Sequence, residues 1–376
     1  MIRPEFFVNA LASFGVDFFA GVPDSLLKSV CAYITDNIDP SHHVITANEG
    51  GAIGLAAGYH LATGRVGCVY MQNSGLGNVV NPLASLTDPE VYHIPMLLII
   101  GWRGQPGIHD EPQHVKQGKV TTGLLNVMGV NYEVLSHEEN AAAKQIEKAM
   151  HYIQTKGDVF ALVIGKDTFE QYTLRNKTVN NYEICREEAI TYVASCIGDD
   201  SVIVSTTGMI SRELFEYRTA TGQGHQRDFL TVGSMGHASQ IALGIAMQQP
   251  KRKVFCFDGD GSAIMHMGSL AIIGSLSCTN FIHIIFNNGA HDSVGGQPTA
   301  GLDIDLTGIA RSCGYQKSIR IDTREGLATL PSIISEQSGP ILVEIRVSRG
   351  NRKDLGRPTT TPIENKNALM NYIRME

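Results

Sequence analysis

Short runs of β-branched and aliphatic residues alternate along the chain with longer stretches in which apolar residues return every three to four positions. This alternation predicts parallel strands covered on both faces by helices. In the first half, strand patterns fall near Val16–Ala20, His43–Ile45, Gly67–Met71, Pro95–Gly101 and Val159–Ile164. Helical patterns lie between them at Ser25–Asn37, Glu49–Leu61, Gly77–Leu86 and Glu138–Gln154. From Lys166 to Tyr182 the chain turns polar and loses its periodicity, as a linker does. A second set then begins, with strands near Val202–Ser205, Phe229–Thr231, Lys253–Phe257, Phe281–Phe286 and Ile341–Ile345. Its helices are expected at Glu187–Cys196, Gln240–Gln248, Met265–Ser275 and Glu325–Ser335. The predicted fold class is α/β: two doubly wound parallel-sheet domains, residues 1–168 and 185–376, joined by a linker over 169–184. Ligands of such sheets bind beyond the carboxyl ends of the strands, so the chemistry is sought there.

Composition narrows the classes of function. The 376 residues are 43% hydrophobic and 18% charged, which suits compact domains with their own cores. A net charge of -7 argues against a nucleic-acid partner and requires any anionic ligand to find positive charge gathered locally. The cysteines at 31, 68, 185, 196, 256, 278 and 313 are isolated and form no C-x-x-C pair. Neither a zinc site nor a disulfide framework is expected from them, and a reducing cytoplasm suits them. No apolar stretch reaches the roughly 18 residues a spanning helix needs, and MIRPEFF lacks a signal-peptide pattern. A cytoplasmic protein with no membrane partner is expected.

The strongest chemical signal straddles two strands. Lys253–Phe257 runs into Asp258-Gly259-Asp260-Gly261-Ser262, and after one helix the next strand ends in Asn287-Asn288-Gly289-Ala290. A carboxylate and an amide at neighbouring strand ends would meet at one sheet edge. Asp260, Asn288 and the backbone carbonyl of Ala290 offer hard oxygens, and Mg²⁺ completes such a set with phosphate and water. The glycines at 259 and 261 let backbone approach a diphosphate closely. Either element alone reads as an ordinary turn; the pair, 28 residues apart, does not. The GDG followed after one helix by Asn resembles the cofactor motif of thiamine diphosphate enzymes. Both Asn287 and Asn288 stand at the strand end, and the family pattern favours Asn288 as the metal ligand.

Further segments extend the resemblance over nearly the whole chain. Asn48-Glu49-Gly50-Gly51-Ala52 is similar to the family's activating-glutamate segment. Such a carboxylate shares a proton with the coenzyme's aminopyrimidine, and Glu49 is expected among small apolar side chains that raise its proton affinity. Gly233-Ser234-Met235-Gly236 resembles the segment that supports the bent coenzyme. Met235 would lie under the bond between the two rings, with backbone groups of Gly233 and Met235 on the aminopyrimidine. Thr206, Thr207 and Gly208, ending an earlier strand, are expected to help hold the diphosphate, together with Ser262. The first domain would then bind the pyrimidine, and the second the diphosphate and Mg²⁺.

The middle domain of the pyruvate decarboxylase group is missing, and this short layout resembles phosphonopyruvate and sulfopyruvate decarboxylases. Gly21-Val22-Pro23-Asp24-Ser25 and the run from Asn288 to Gln297 are similar to the former. The resemblance implies decarboxylation of a small anionic 2-oxo acid, with Ser25, Ser293 and Gln297 among the substrate-binding residues and Asp24 relaying protons. The loop after Pro95–Gly101 gathers Arg103, His109, His114 and Lys116 within 14 residues. Arg103 and Lys116 would grip the second anionic group, and His109 and His114 are candidate proton donors. Sites in this family are completed by two chains, which implies a homodimer or larger homo-oligomer. The competing readings are another 3-substituted pyruvate such as sulfopyruvate, carboligation, and a non-catalytic binding protein of the same fold.

Overall fold

The computed structural model describes residues 1–374 apart from 178, 336 and 337, so one residue of the expected linker and the end of the second expected domain lie outside it. The chain divides into two compact units: Met1–Lys177 with Ser293–Gln297, and Thr178–Asp292 with Pro298–Glu376. The division falls within the polar stretch between the two periodic halves.

The first unit is built on strands β1 (Phe19–Gly21), β2 (His43–Ile45), β3 (Gly67–Gln72), β4 (Met96–Gly101), β5 (Asn131–Val134) and β6 (Val159–Ile164). They form one parallel sheet in the order β2-β1-β3-β4-β6-β5. The second unit contains β7 (Val202–Ser205), β8 (Asp228–Leu230), β9 (Val254–Gly259), β10 (Phe281–Asn287), β11 (Lys317–Ile321) and β12 (Ile341–Arg346). Its parallel order is β11-β12-β10-β9-β7-β8. Counted along the chain, both sheets run second, first, third, fourth, sixth, fifth. Each therefore reverses direction between its first and third strands, where a crevice opens at the carboxyl edge.

Both faces of each sheet are covered, as uninterrupted apolar strands require. Along β4, Met96, Leu98 and Ile100 enter one core, while Leu97 and Ile99 enter the other. In the second unit, Phe255 and Phe257 of β9 face one core, and Val254 and Cys256 face its opposite.

The structure adds two strands that the pattern did not single out, β5 and β11. Both are edge strands, largely half-exposed or exposed, so they lack an apolar run. Helices Pro4–Ser13, Pro112–Val127, Met209–Ala220, Leu306–Ser312 and Pro362–Arg374 also went unmarked. The expected helix Met265–Ser275 is instead two, Asp260–Met265 and Ser269–Leu276, and Glu325–Ser335 is Arg324–Leu327 followed by Leu330–Ser335. Among the described residues no helix is long and apolar enough to cross a membrane.

Candidate functional site

In the second unit, polar groups converge at the ends of β7, β9 and β10. Asp260 opens the helix Asp260–Met265 directly after β9 and is 2% exposed. Its carboxylate accepts from the Thr299 hydroxyl and from the backbone N–H groups of Gly261 and Asn288. Burial outweighs these bonds and pushes its carboxyl up to about 6. No cationic side chain is among its partners in the described residues. A buried carboxylate without a counter-charge calls for a bound cation or a proton.

Asn287 and Asn288 have different surroundings. The Asn287 amide is fully buried: Nδ2 donates to the Gly301 carbonyl at 2.7 Å and to Glu344 Oε1 at 2.8 Å, and Oδ1 accepts from Gly289 N–H at 3.1 Å. Asn288 donates Nδ2 to Asp292 Oδ2 at 2.6 Å, and among the described residues its Oδ1 accepts the N–H of Ala290 alone, at 3.0 Å. The second lone pair of that oxygen is available to a metal. Gly301 closes the pocket wall, where a Cβ would lie 2.6 Å from Asp260 Oδ2. Carboxylate, amide oxygen and nearby backbone carbonyl suit Mg²⁺, and the buried uncompensated charge of Asp260 fits a resident divalent cation.

Around this centre, the Thr206 hydroxyl bonds Ser262 Oγ at 2.8 Å, and that oxygen accepts Gly236 N–H at 3.1 Å. Gly208 adopts φ 103°, a backbone that glycine tolerates, and starts the helix Met209–Ala220 with no side chain capping its first turn. Thr207 Oγ1 accepts the N–H of Gly233 at 3.3 Å. The turn Gly233–Gly236 holds three residues at positive φ, among them Ser234 at 45°. Met235 is half-buried within it. Gly259 receives its shape from Asp258, whose Oδ1 accepts its N–H at 3.0 Å. Asp258 lies buried beside Cys256 and His283 on one face of β9 and β10.

In the first unit, two buried carboxylates occupy the ends of β1 and β2. Glu49 is the first residue of the helix Glu49–Thr63, whose start is capped by Asn48 Oδ1 accepting from Gly51 N–H at 2.9 Å. It is 5% exposed, and Oε2 accepts from Asn78 Nδ2 at 2.7 Å. A Cβ on Gly75 would fall 2.4 Å from Oε1, so the carboxylate lies against bare backbone. The expectation of purely small apolar neighbours is thereby corrected: the Asn78 amide reaches Glu49 from the helix Leu76–Pro82, a contact that no local pattern around Glu49 discloses.

Asp24 is fully buried and accepts from Gln72 Nε2 at 2.5 Å, Leu26 N–H at 2.9 Å and Ser25 Oγ at 3.4 Å. Burial raises its carboxyl above the ordinary aspartate range, against the bonds from Gln72 and Leu26. Ser25 also accepts Arg103 Nη1 at 2.6 Å.

The cationic loop after β4 differs from expectation. Arg103 is gripped by Asp110 through two bonds, Nε to Oδ2 at 2.8 Å and Nη2 to Oδ1 at 2.5 Å, so its charge is already compensated. His114 and Lys116 are not in a loop but on the helix Pro112–Val127. Lys116 is exposed there, and His109 is exposed in the loop before it. His114 is buried, and burial, helped by the charge of Arg103, pushes its imidazole down to about 4. It is neutral near pH 7, which corrects its expected titration in that range. Ser293 is exposed, whereas Gln297 is fully buried with both amide ends unpartnered among the described residues. A buried amide in that state invites a ligand or water.

Sequence reasoning missed Thr299, Asn78, Gln72, Asp110 and Asp292. All are neutral or acidic partners of the marked residues; Thr299, Asn78 and Gln72 come from distant segments, whereas Asp110 and Asp292 lie a few residues from Arg103 and Asn288.

Comparison with known proteins identifies the family of the chain. Residues 4–128 match the thiamine pyrophosphate enzyme N-terminal TPP binding domain, and residues 206–345 match the corresponding C-terminal TPP binding domain. The chain is 34% identical to a phosphonopyruvate decarboxylase of Streptomyces viridochromogenes, over 97% of this chain and 93% of that protein. It is 33% identical to one of Streptomyces hygroscopicus, covering 97% and 92%. A sulfopyruvate decarboxylase of Methanosarcina acetivorans is 28% identical, covering 85% and 84%. With both binding domains matched and relatives of this identity along nearly its entire length, the chain belongs to the thiamine pyrophosphate enzyme family, as a thiamine diphosphate-dependent 2-oxo acid decarboxylase.

Proposed function

We propose that the substrate is 3-phosphonopyruvate, which loses CO₂ to give phosphonoacetaldehyde. The observation that carries this reading is the 34% identity to a phosphonopyruvate decarboxylase along 97% of the chain. The loop after β4 adds less support than its composition promises, because Asp110 compensates Arg103 and His114 is neutral. That reduced charge, with the 28% identity to a sulfopyruvate decarboxylase, favours sulfopyruvate as the second reading, since sulfonate carries less charge than phosphonate.

Asp260, the Asn288 amide oxygen and the Ala290 carbonyl would hold Mg²⁺, which would neutralise the diphosphate. Thr206, Thr207, Gly208 and Ser262 supply hydroxyl and backbone donors to the same group, and Gly233 to Met235 support the pyrimidine end. When bound, thiamine diphosphate supplies the electron sink for the pair released as CO₂ departs. With the coenzyme bound, Glu49 would exchange a proton with its aminopyrimidine, since Asn78 occupies Oε2 and leaves Oε1 without a side-chain donor among the described residues. Asp24, with its raised proton affinity, delivers the proton that replaces CO₂ on the product carbon. Ser25, Ser293 and Gln297 bind the substrate; the unpartnered amide of Gln297 supports its share.

A homodimer is proposed as the smallest active form, each coenzyme being held by the first unit of one chain and the second unit of another. Exposed apolar side chains support it: Leu55 and Leu61 on the helix that Glu49 begins, and Met247, Ile272 and Leu276 in the second unit. The cytoplasm is the proposed location, in keeping with seven free cysteines.

The deciding experiment is CO₂ release from 3-phosphonopyruvate, sulfopyruvate and pyruvate, with and without thiamine diphosphate and Mg²⁺. The highest kcat/KM is expected for 3-phosphonopyruvate. A higher value for sulfopyruvate would transfer the assignment to the second reading.

A further inference from the structure

The loop from Asn287 to Asp292 contains an orientation problem. An amide offers a ligand oxygen from one end and only N–H groups from the other, and both ends have nearly the same shape. Asn288 can serve a cation only if something fixes which end faces it. Asp292 does so: its carboxylate accepts and cannot donate, and at 2.6 Å it claims Nδ2 of Asn288. Oδ1 is thereby left on the side of Ala290.

Asp292 is itself anchored. Its Oδ2 accepts from Gly350 N–H at 2.9 Å and from Arg186 Nη1 at 3.3 Å. Arg186 is buried and held by two bonds of 2.9 Å to Glu213, so the carboxylate rests on a rigid support. The loop backbone has separate clamps. Arg349 donates Nε to the Asn288 carbonyl at 3.3 Å and Nη2 to that of Gly289 at 2.5 Å, and Asn180 Nδ2 reaches the Asn288 carbonyl at 2.9 Å. Loss of the Asp292 carboxylate therefore leaves the Asn288 amide held by the single N–H of Ala290, while these backbone clamps stay in place.

We propose that Asp292 is a positioning residue for the metal centre, turning the oxygen of Asn288 towards the divalent cation. This rests on the reading of Asp260 and Asn288 as metal ligands. Partners of metal ligands that act in this way are worth about 10–100-fold in metal affinity.

The test is Mn²⁺ binding to full-length protein with thiamine diphosphate present, followed by electron paramagnetic resonance. Asp292→Asn keeps the shape but can present either a donor or an acceptor to Asn288; Asp292→Ala removes the partner. Both should weaken Mn²⁺ by about 10–100-fold. Coenzyme affinity should recover at raised Mg²⁺, and the metal-free melting temperature should fall less in Asp292→Asn, which keeps an oxygen acceptor for Gly350 and Arg186, than in Asp292→Ala. Unchanged Mn²⁺ affinity in both variants, alongside loss in Asn288→Ala, would overturn the positioning role alone. Unchanged affinity in Asn288→Ala and Asp260→Asn as well would overturn the metal-site reading on which it rests.

Discussion

The two sheets share one strand order but carry different chemistry at matching positions. After the first strand, one unit presents Asp24 and the other Thr206 to Gly208; after the second, Glu49 corresponds in strand order to the turn Gly233–Gly236. After the third, Gln72 to Gly75 matches Asp260 to Ser262, and after the fourth, Arg103 matches Asn287 and Asn288. The buried carboxylates of the first unit are bonded by the neutral amides of Gln72 and Asn78. Asp260 is bonded by a hydroxyl and backbone N–H groups. Amide partners hold a carboxylate in place while leaving it free to exchange a proton, whereas a buried acid beside an amide oxygen and bare backbone suits a metal. Strand order decides where functional groups meet, and the side chains decide whether that place suits protons or cations.

The largest expected effects separate these roles. Glu49→Gln should lower kcat by about 10²–10⁴-fold, the range of a lost acid–base group, while thiamine diphosphate and Mg²⁺ still bind. Asp260→Asn should instead abolish metal-dependent coenzyme binding. Coenzyme fluorescence quenching, read beside steady-state rates, distinguishes the two outcomes. If Glu49→Gln kept full kcat, the proton role of the first unit would be lost.

One substitution can be made in both units at once. Gly75→Ala would place a Cβ 2.4 Å from Glu49 Oε1, and Gly301→Ala one 2.6 Å from Asp260 Oδ2. Displacing a reacting group by about 1 Å costs on the order of 10²-fold. Gly75→Ala should show that loss in kcat with coenzyme affinity kept, whereas Gly301→Ala should show it as a raised requirement for Mg²⁺. Identical phenotypes would break the contrast between the units.

The smaller effects concern what local patterns do not reveal. Both sheets, and the motifs around Glu49, Asp260 and Asn288, were legible because buried parallel strands read as apolar runs and each motif is contiguous in sequence. β5 and β11 were not, since these two strands are largely half-exposed or exposed and mix polar with apolar residues. Compensation was hidden too. The composition of the loop after β4 suggests a cluster of cations, yet Asp110 neutralises Arg103, and burial neutralises His114. Asn78 and Gln72 come from segments distant from the carboxylates they bond, so only the folded chain discloses them.

Gln72→Leu tests one such hidden partner. The Gln72 amide favours the ionised form of Asp24, against a burial that raises its carboxyl. Without that donor the proton affinity of Asp24 should rise further. The alkaline-side midpoint of the kcat profile, where Asp24 loses the proton it delivers, should then move upward by about one pH unit, the worth of a charged hydrogen bond. An unmoved midpoint would remove Asp24 from the proton-transfer step.

His114 gives the smallest effect and tests the charge of the same region. Its imidazole is pushed down to about 4 from an ordinary 6.5, chiefly by burial and then by Arg103, with Asp110 opposing. A group whose folded value is depressed contributes stability above its unfolded value and loses it as pH falls towards the folded one. His114 should therefore destabilise the protein progressively from about pH 6.5 down to about pH 4. His43 and His291 are also pushed down to about 4, so His114→Gln should lessen the acid loss without abolishing it. Near pH 7 the variant and the parent should melt alike; near pH 5 the parent should have lost about a few degrees more. An equal drop in both would mean that burial does not depress His114, which would then titrate in its ordinary range and add a cation beside Arg103 on the acid side of neutrality.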